Sequence, residues 1–503
     1  MIGQVSMIYR RHAINITNLA WRRCMRVNPI CSQLIKTFAN SSESHYDIAI
    51  VGGGVVGKTV ACQLLTNPVF KSKKIALIAT EIPSSDTEEV SNAQYKGASH
   101  QHKHNKSAPD LRVYTITPQS RNLLKACGVW DKLLPNDFFS FQDMQVWDAV
   151  GNGHIRFNAQ QAGKKYLAHV VEHKVLLNAL QKRMEELQQD FASFSTYVPA
   201  KVKHYRPPDA GSYASHIGLE NGDEIRATLI IAADGGKSVI RTLSNLGTWG
   251  WDYDQVALVT TVRTDQPNYT AWQRFFPTGP LALLPMRDGH SSVVWSCSAE
   301  MATDLTRLTR REFCEQLNEA LLDPPKSAET FTYPGFPLFS DLVKGVTNTT
   351  QTIMAVGAMA DRFQAPPKVT DITGDRVHFP LKMSHAITYC RPGVALVGDS
   401  AHAIHPLAGQ GLNLGLADAE ALVNVLSEGV ACGESLSSPL FLQEYERKRK
   451  QANVMMALVM DGFKRLFGPS PDVVALARNV GMTSLNAVEP LKNQVIKYAM
   501  GLT

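Results

Sequence analysis

The chain has 503 residues, of which 44% are hydrophobic and 19% are charged, and this ordinary globular composition excludes a disordered or fibrous protein. Its formal net charge of +6 comes entirely from segment 1–42, which holds six Arg and Lys residues and no Asp or Glu. Because the rest of the chain is neutral, the charge gives no support for a nucleic-acid partner.

Segment 1–42 has apolar residues spread between its arginines, together with Ser, Thr and Asn. This composition is typical of a mitochondrial transit peptide and not of a secretory signal; a basic tail without a targeting role is the alternative. The eight cysteines of the chain include no C-x-x-C pair, which favours reduced thiols over a disulfide framework. No apolar run approaches the roughly 18 residues that span a bilayer, so we expect membrane contact to be peripheral.

The first predicted strand, YDIAIV at 46–51, leads into a glycine-rich turn and then a helical pattern. In the turn, Gly52, Gly54 and Gly57 form the pattern G-x-G-x-x-G. These glycines permit a tight turn, the close approach of a pyrophosphate, and close packing of helix on strand. The position between strand and helix predicts a dinucleotide site, with a purely structural turn as the alternative.

A second predicted strand, KIALIA at 74–79, lies at the distance expected for a βαβ unit. An acidic residue that binds the ribose is expected at the end of this strand. Ala79 occupies that place and Glu81 follows slightly late, so Glu81 either reaches the adenosine ribose from a shifted strand end or has no such role.

The polar segment 81–110 has no hydrophobic periodicity and predicts an exposed insertion or long loop. It contains His100, His102 and His104. Alternate histidines can chelate a metal, but no Cys or acidic partner stands at a matching spacing, which favours a solvated loop.

The remaining elements follow from hydrophobic periodicity and turn residues. The predictions are a helical stretch over 117–130, strand-like segments around 141–149 and 153–157, an amphipathic helix over 173–188, a buried strand over 228–233, a strand-rich antiparallel region over 252–385, a buried strand over 393–397, and a helix over 415–426. The tail 441–503 is predicted to be helical with a Gly-Pro-Ser-Pro break at 468–471.

Two aspartates come directly after buried strands. Asp234 follows the strand at 228–233 and Asp399 follows the strand at 393–397. Open α/β folds bind ligands at the carboxyl ends of their strands, so both side chains are candidates for ligand contact.

The stretch GDSAHAIHPLAGQGLNLG, 398–415, spaces Asp399, His402 and His405 three residues apart, as in a set of metal ligands. Such a set lies on one face only in a helix, and the proline and glycines that follow indicate a loop. No further acid or cysteine is spaced to complete a metal site, so no metal is predicted. His402 and His405 are instead expected to hold loop geometry or to border a substrate cavity.

Taken together, the glycine turn, Asp234-Gly235 and Gly398-Asp399 resemble the flavoprotein aromatic hydroxylases of the para-hydroxybenzoate hydroxylase type. The run GDSAHAIHPLAGQGLNLGLAD and the segments MQVWDA, WDYDQ, AWQRFFPTGPLALLP and NAVEPLK are similar to those of the mitochondrial ubiquinone-biosynthesis flavin monooxygenases. The resemblance covers nearly everything after residue 45. It departs at Ala79, where the family has a glutamate, and at the long loop 81–110.

The resemblance implies FAD as the cofactor. It gives Asp399 the role of accepting a hydrogen bond from the ribityl chain, a task suited to a charged acceptor. Arg112 is implied near the pyrophosphate, with a surface arginine beginning a helix as the alternative; Asp234 either binds the diphosphate or supports neighbouring loops. The residues implied for the loop beside the isoalloxazine ring, and for the helix start whose free N–H groups stabilise the anionic reduced flavin, are Pro406, Gly409, Gly411, Leu412 and Asn413.

The resemblance also implies a substrate pocket built by 271–285, a strand and turn that would bring Gly279 and Pro280 close to the flavin ring. The aromatic side chains of Trp272, Phe275 and Phe276 either line this lipid-like pocket or belong to the plain core. His405 is expected at its border.

The implied reaction is hydroxylation of an aromatic ring at carbon 5, by way of a flavin C4a-hydroperoxide. The implied substrates are a polyprenylated 4-hydroxybenzoate-type ubiquinone precursor and O2. The cofactor performs the chemistry, so no side chain is assigned as catalytic. Ferredoxin and ferredoxin reductase are the implied electron donors, NADPH stays open, and other ubiquinone-biosynthesis proteins are expected as partners in a complex. The rival readings are a flavin oxidase or dehydrogenase and a non-catalytic flavin-binding scaffold.

The fold class predicted is α/β, with a Rossmann-like FAD-binding domain interleaved with an antiparallel-sheet substrate domain and followed by a C-terminal helical segment. The predicted division is a transit peptide at 1–42, an FAD-binding domain at 45–138, 166–245 and 386–440, a substrate domain at 139–165 and 246–385, and a helical region at 441–503. Segment 447–467 has basic ends and an apolar middle, which predicts either a helix lying on an anionic membrane surface or a helix packed on the core. The expected location is the matrix side of the mitochondrial inner membrane.

Overall fold

The computed structural model describes residues 44–81, 109–151, 153–191, 193–209, 214–322, 363–406 and 409–502. The predicted transit peptide at 1–42 and nearly all of the His-containing loop 81–110 lie outside these described residues.

The described residues form three sheets and a set of helices. The strands are β1 (Ser44–Val51), β2 (Ile75–Ile78), β3 (Val113–Ile116), β4 (Phe138–Phe141), β5 (Asp143–Asp148), β6 (His154–Asn158), β7 (Ala168–Glu172), β8 (Phe194–Tyr197), β9 (Val202–Arg206), β10 (Ser215–Leu219), β11 (Glu224–Ala232), β12 (Thr248–Thr264), β13 (Thr270–Phe276), β14 (Gly279–Pro285), β15 (His290–Cys297), β16 (Val369–Ile372), β17 (Val377–Ala386), β18 (Cys390–Arg391), β19 (Val394–Leu396) and β20 (His402–Ala403). The helices are α1 (Val55–Thr66), α2 (Pro118–Ala126), α3 (His173–Asp190), α4 (Val239–Leu243), α5 (Ala299–Arg307), α6 (Arg310–Leu322), α7 (Gly411–Ala431), α8 (Pro439–Phe467), α9 (Asp472–Ala487) and α10 (Glu489–Ala499).

The first sheet has a parallel centre in the order β19-β11-β1-β2-β8. The central strands are buried toward their carboxyl ends, where their sequences are continuous apolar runs, because helices cover both faces of the sheet there. Ile48, Ile50, Leu77 and Ile231 belong to the core that this sheet forms with α1, α3 and α7. The predicted strand–turn–helix–strand unit at the start of the chain is present as β1, α1 and β2.

The second sheet runs in the order β20-β17-β12-β15-β14-β13-β5-β6, with β16 also paired to β12. Its pairings are antiparallel except for β13 with β5, which are parallel. The strand-rich region predicted at 252–385 also contains α5 and α6, two helices that the sequence reading missed. Buried Phe313, Leu317 and Leu321 recur every four residues along α6, which is the helical signal that was overlooked.

The third sheet has the strand order β3-β7-β4. The C-terminal helices lie against this sheet, where Ile496 of α10 shares an apolar cluster with Phe141 of β4. The break predicted at 468–471 separates α8 from α9. No helix among the described residues is both long and apolar enough to cross a bilayer. The predicted α/β fold class is confirmed, whereas the predicted domain borders stay a prediction: β20, within 386–440, pairs with β17, and β4 straddles the border at 138.

Candidate cofactor and substrate site

Three loops meet at one edge of the first sheet because they leave adjacent parallel strands. The Ala233 amide donates to the Val51 carbonyl at 2.7 Å, and the Val397 amide donates to the Ala232 carbonyl at 3.0 Å. The ends of β1, β11 and β19 are thereby aligned. The predicted glycine turn, Asp234 and Asp399 therefore follow the carboxyl ends of three neighbouring strands, where an open α/β sheet binds its ligand.

The glycine turn has the shape that a pyrophosphate requires. Gly52 has a φ of +124°, and a Cβ there would lie 2.2 Å from the Ala233 carbonyl oxygen; a Cβ on Gly57 would lie 2.0 Å from the Gly52 oxygen. Gly54, in contrast, faces open space, since a Cβ there would meet no atom within 4 Å. Gly54 is also the N-cap of α1, and no side chain caps it. The free N–H groups of α1 thus face an opening suited to a phosphate group.

Asp399 reaches this edge from the end of β19, which is separated from β1 by β11. Its side chain is accessible to solvent, yet protein atoms crowd around it, and this desolvation raises the pKa of its carboxyl against the opposing charges of His402 and Arg112. Arg112 itself is exposed and immediately precedes β3, not a helix. The carboxylate of Asp399 makes no hydrogen bond that the described residues show, so it is available to a ligand hydroxyl, as predicted for the ribityl chain.

The carboxylate of Asp234 is hydrogen-bonded to neighbouring loops of the protein. Its carboxylate accepts hydrogen bonds from the amides of Val239 and Ile240, at 2.8 and 3.2 Å, and from the hydroxyl of Ser400 at 3.0 Å. The residue therefore caps α4 and ties that helix to Ser400, the residue directly after Asp399. This geometry favours the supporting role of Asp234 over direct contact between its carboxylate and the diphosphate.

The loop predicted beside the flavin ring leads into α7. Residues 407 and 408 lie outside the described residues; Pro406 is half-buried and Gly409 has a φ of +61°. The helix begins at Gly411, one residue before the predicted start at Leu412, and its first turn carries no acid and no side-chain cap. A Cβ on Gly411 would meet no atom within 4 Å. The positive end of α7 is therefore open to a bound anionic ring system.

The Asn413 side chain faces the other way. Its Oδ1 accepts from the Thr117 amide at 3.1 Å and its Nδ2 donates to the Thr115 carbonyl at 2.8 Å. These bonds fasten the start of α7 to β3 and α2. Asn413 can contribute to a cofactor site through its backbone, while its side chain holds the helix in place.

The buried acid Asp418, within α7, was missed by the sequence reading. Its Oδ2 accepts from the Gly398 amide at 3.0 Å and lies 2.6 Å from Nε2 of His402; its Oδ1 accepts from Arg449 at 2.7 Å and from Asn453 at 3.0 Å. Burial by itself raises the pKa of Asp418, but the charges and hydrogen bonds of His402 and Arg449 outweigh it and hold that pKa well below its usual range. The available signal was an acid at a position that the helical periodicity of α7 places on its buried face, beside Leu414 and Leu422.

His402 is therefore engaged by Asp418 and not by Asp399. Nor does His405 join them: its Nε2 lies 3.3 Å from Oε1 of Gln255. Within the parts of the chain that the structure describes, no group of His, Cys, Asp and Glu side chains has the arrangement of a metal site.

A cavity of about 430 Å³ lies between the second sheet and the joint of α8 and α9. It is lined by Tyr253, Gln255, Phe275, Phe276, Pro277, Gly279, Pro280, Lys464, Arg465, Phe467, Gly468 and Pro469. We call it the β13–α8 cavity. Three of the residues predicted for the substrate pocket, Phe275, Gly279 and Pro280, line it together. His405 lies behind its wall, with its ring centroid 4.9 Å from that of Tyr253.

Phe275 connects the β13–α8 cavity with the loop predicted beside the flavin ring. Its ring stacks on Phe467 with centroids 4.1 Å apart. It also belongs to the apolar cluster that contains Leu414 and Ile404, which flank the loop on either side. One wall of the cavity is thus shared with the candidate cofactor site.

Of the two alternatives given for Trp272, the structure favours the plain core over the substrate pocket. Side chains on a strand alternate between faces, so Trp272 lies on the face of β13 opposite to Phe275. There it packs in the core with Trp147 and Leu283, and its indole N–H donates to Asn268 at 2.9 Å. Trp272 stabilises the sheet and does not line the cavity.

The chain resembles known proteins along most of its length. Residues 101–340 and 344–459 match the family described as FAD binding domain. The ubiquinone biosynthesis monooxygenase COQ6, mitochondrial, of Mus musculus is 34% identical over 468 residues, which covers 92% of each chain. The same enzyme of Xenopus tropicalis is 33% identical over 92% of this chain and 95% of that protein. The chain belongs to this family of ubiquinone biosynthesis monooxygenases.

Membership in the ubiquinone biosynthesis monooxygenases confirms the predicted family, and the protein is an FAD-dependent monooxygenase. The fold is shared with p-nitrophenol 4-monooxygenase PnpA from Pseudomonas putida, at a TM-score of 0.61 and 16% identity over 90% of this chain and 97% of that chain. The open space at Gly54, the uncapped starts of α1 and α7, and the available carboxylate of Asp399 fit the phosphates, ring and ribityl chain of FAD.

Proposed function

We propose that this monooxygenase hydroxylates carbon 5 of a polyprenylated 4-hydroxybenzoate-type precursor of ubiquinone, with O2 as the second substrate. The observation that carries the proposal is the position of the β13–α8 cavity. Phe275 of its aromatic wall belongs to the same apolar cluster as Leu414 and Ile404, which lie on either side of the loop that we assign to the flavin ring. A phenolic ring in the cavity would lie against the oxygen-activating cofactor.

Bound FAD supplies the activation of O2, and the protein supplies position and electrostatics. Asp399 would hold the ribityl chain, and the glycine turn and the start of α1 would hold the pyrophosphate. The start of α7 would stabilise negative charge on the reduced ring. Phe275 and Phe467 would exclude water from the reacting ring, so that oxygen transfer is not lost to hydrolysis.

The cavity is too small for a long polyprenyl chain, so we expect the tail to leave beside the exposed Arg465 of α8, a place that we call the mouth. That helix has two different faces. Met456 and Met460 are buried, whereas Met455, Leu458, Phe463 and Leu466 are 41–54% exposed. An exposed apolar face beside the mouth supports peripheral binding of α8 to a membrane in which the tail stays dissolved. The proposal thus assigns the buried face of α8 to core packing and its exposed face to membrane binding, the two alternatives for segment 447–467.

The names of the relatives place those enzymes in mitochondria. For this chain we propose the matrix side of the inner membrane, with ferredoxin and ferredoxin reductase as electron donors and with other ubiquinone-biosynthesis proteins as partners. The composition of segment 1–42 and the exposed face of α8 support this location.

Reconstitution tests the proposal. The full chain loaded with FAD is supplied with ferredoxin, ferredoxin reductase, NADPH and a prenylated 4-hydroxybenzoate, and the products are separated by chromatography and identified by NMR. A ring hydroxylated at carbon 5 is expected. Hydrogen peroxide as the main product would indicate an oxidase, and unchanged pathway output in cells with Asp399→Ala would indicate a scaffold.

A further inference from the structure

Lys464 is a cation of the β13–α8 cavity that no carboxylate neutralises. It lies in the last turn of α8, with Nζ 3.4 Å from the Tyr253 carbonyl oxygen and 4.6 Å from the centroid of the Tyr253 ring. No ion pair of Lys464 occurs among the described residues. Its neighbour Arg465 differs, since Arg465 Nε lies 2.7 Å from Oδ2 of Asp461 and is neutralised by it. The cavity therefore carries one unmatched positive charge.

The other lining residues do not supply a counter-charge. Apart from Lys464 and Arg465, they are aromatic, proline, glycine and glutamine side chains. Burial raises the pKa of Tyr253 to about 12, so its phenol is neutral at physiological pH. His405, behind the wall, is neutral too, because burial and then the charge of Lys464 lower its pKa to about 4.

A cavity that combines aromatic side chains with a single unmatched ammonium group suits an aromatic ring that bears one anionic substituent. Hydroxybenzoates bear such a group, a carboxylate that is ionised at neutral pH. We propose that Lys464 binds the ring carboxylate of the substrate; this assignment rests on the proposed function. Lys464 is then a substrate-binding residue that selects carboxylated phenols over phenols without the carboxylate.

The same contact orients the ring. In a 4-hydroxybenzoate, carbon 3, which bears the prenyl tail, and carbon 5, which is to be hydroxylated, are both meta to the carboxylate. With the carboxylate on Lys464 and the tail leaving by the mouth, carbon 5 turns inward toward the wall that contains Phe275. Binding the carboxylate therefore selects the carbon that faces the cofactor.

Two substrates and four proteins test the proposal. The substrates are 4-hydroxybenzoate with a geranyl group at carbon 3 and the matching geranyl phenol without the carboxylate. The proteins are the unmodified full chain, Lys464→Gln, Lys464→Arg and the control Lys448→Gln, all loaded with FAD and matched by flavin absorbance. Lys448 lies on the same helix, is exposed, and pairs with Glu444 at 3.2 Å, away from the cavity.

Lys464→Gln should raise the KM for the carboxylated substrate about 10- to 100-fold, the effect of losing one hydrogen bond to a charged group. It should leave the KM for the phenol unchanged, while Lys464→Arg preserves the preference for the carboxylate and Lys448→Gln alters neither substrate. An equal effect of Lys464→Gln on both substrates, or no effect, would overturn the proposal.

A binding titration separates this inference from the proposed function. Quenching of flavin fluorescence by the geranyl hydroxybenzoate measures its Kd without turnover. Should the unmodified chain hydroxylate neither substrate, the proposed function fails, and the role of Lys464 is still decided by the Kd. A Kd at least about tenfold weaker in Lys464→Gln supports it, and an unchanged Kd refutes it.

Discussion

Oδ2 of Asp418 lies 2.6 Å from Nε2 of His402 and also accepts the amide of Gly398, so one buried carboxylate holds the turn that presents Asp399. The side chain of Asp399 projects to the candidate cofactor site, while Asp418 lies behind it in α7. The position of Asp399, the carboxylate that we propose for the ribityl chain, thus depends on a buried acid behind it.

Asp418→Asn should destabilise the protein by about 3 kcal/mol, because it leaves the Arg449 guanidinium partly buried without its counter-ion. The loosened turn should also weaken FAD binding. Urea unfolding and titration of the apoprotein with FAD measure the two effects. Asp304→Asn, an exposed aspartate on α5, is the matched control and should change neither. Wild-type stability and FAD affinity in Asp418→Asn would contradict this role.

Asp399→Ala should weaken FAD binding about 10- to 100-fold, which is the effect of removing one charge-assisted hydrogen bond. The apoprotein should keep its stability, because the Asp399 carboxylate makes no hydrogen bond that the described residues show. Isothermal titration with FAD and thermal unfolding of the apoprotein check both halves. An unchanged Kd for FAD would remove Asp399 from the site.

Phe275 and Trp272 form a test pair on opposite faces of β13. Phe275→Leu removes the ring that stacks on Phe467 and should lower kcat/KM about 3- to 10-fold, together with a loss of stability of about 1 kcal/mol from the lost ring pair. Trp272→Phe breaks the bond to Asn268 in the core and should reduce stability by about 1–2 kcal/mol, with kcat/KM unchanged. Steady-state kinetics and urea unfolding of both variants measure these effects. A lower kcat/KM in Trp272→Phe and an unchanged kcat/KM in Phe275→Leu would place the substrate on the other face of the sheet.

Acid should destabilise the fold between about pH 6.5 and pH 4. Burial lowers the pKa values of His169, His173, His385 and His405 from the ordinary 6.5 to about 4. In that window the unfolded chain binds more protons than the folded one. The contribution of these four histidines to the free energy of unfolding is therefore full above pH 6.5 and is lost as the pH falls toward 4. Each histidine contributes on the order of 1–3 kcal/mol. Urea midpoints from pH 7.5 to 4.5 should fall accordingly; a flat profile would show that these histidines are not held neutral.

The exposed face of α8 should mediate membrane binding. Changing Leu458, Phe463 and Leu466 together to Gln should greatly reduce co-flotation with vesicles that contain anionic lipid, and should leave thermal stability unchanged because all three side chains are exposed. The control changes Met456 and Met460 to Leu on the buried face, where a volume-conserving swap keeps the packing. Equal flotation of the triple variant and the unmodified chain would exclude this surface.

Local patterns in the sequence predicted the elements that carry the cofactor site. The glycine turn, the buried strands and the strand-end aspartates are short-range signals, and parallel pairing then brings Gly52, Asp234 and Asp399 to one edge. What the sequence did not show depends on long-range contacts. The sequence could not show whether Trp272 or Phe275 lies on the face of β13 toward the cavity, because both residues are aromatic and both are buried.

The structural role of Asp418 and the role that we propose for Lys464 could not be predicted from the sequence either. Asp418 pairs with residues 16 and 31 positions away along the chain, and Lys464 meets Tyr253 across 211 positions. From the sequence alone, a basic residue near the end of an amphipathic helix is expected to be a solvated charge. Only the fold shows that a cavity lies beside Lys464. The helical signal of α6 was overlooked because strands dominate the region around it.

Isotope labelling tests the central claim most directly. The FAD-loaded chain, with ferredoxin, its reductase and NADPH, is given a prenylated 4-hydroxybenzoate under 18O2, and the product is examined by mass spectrometry. Our account predicts one 18O atom in a new ring hydroxyl group. A product without 18O, or consumption of O2 with hydrogen peroxide as the sole product, would contradict the assignment of this site to aromatic hydroxylation.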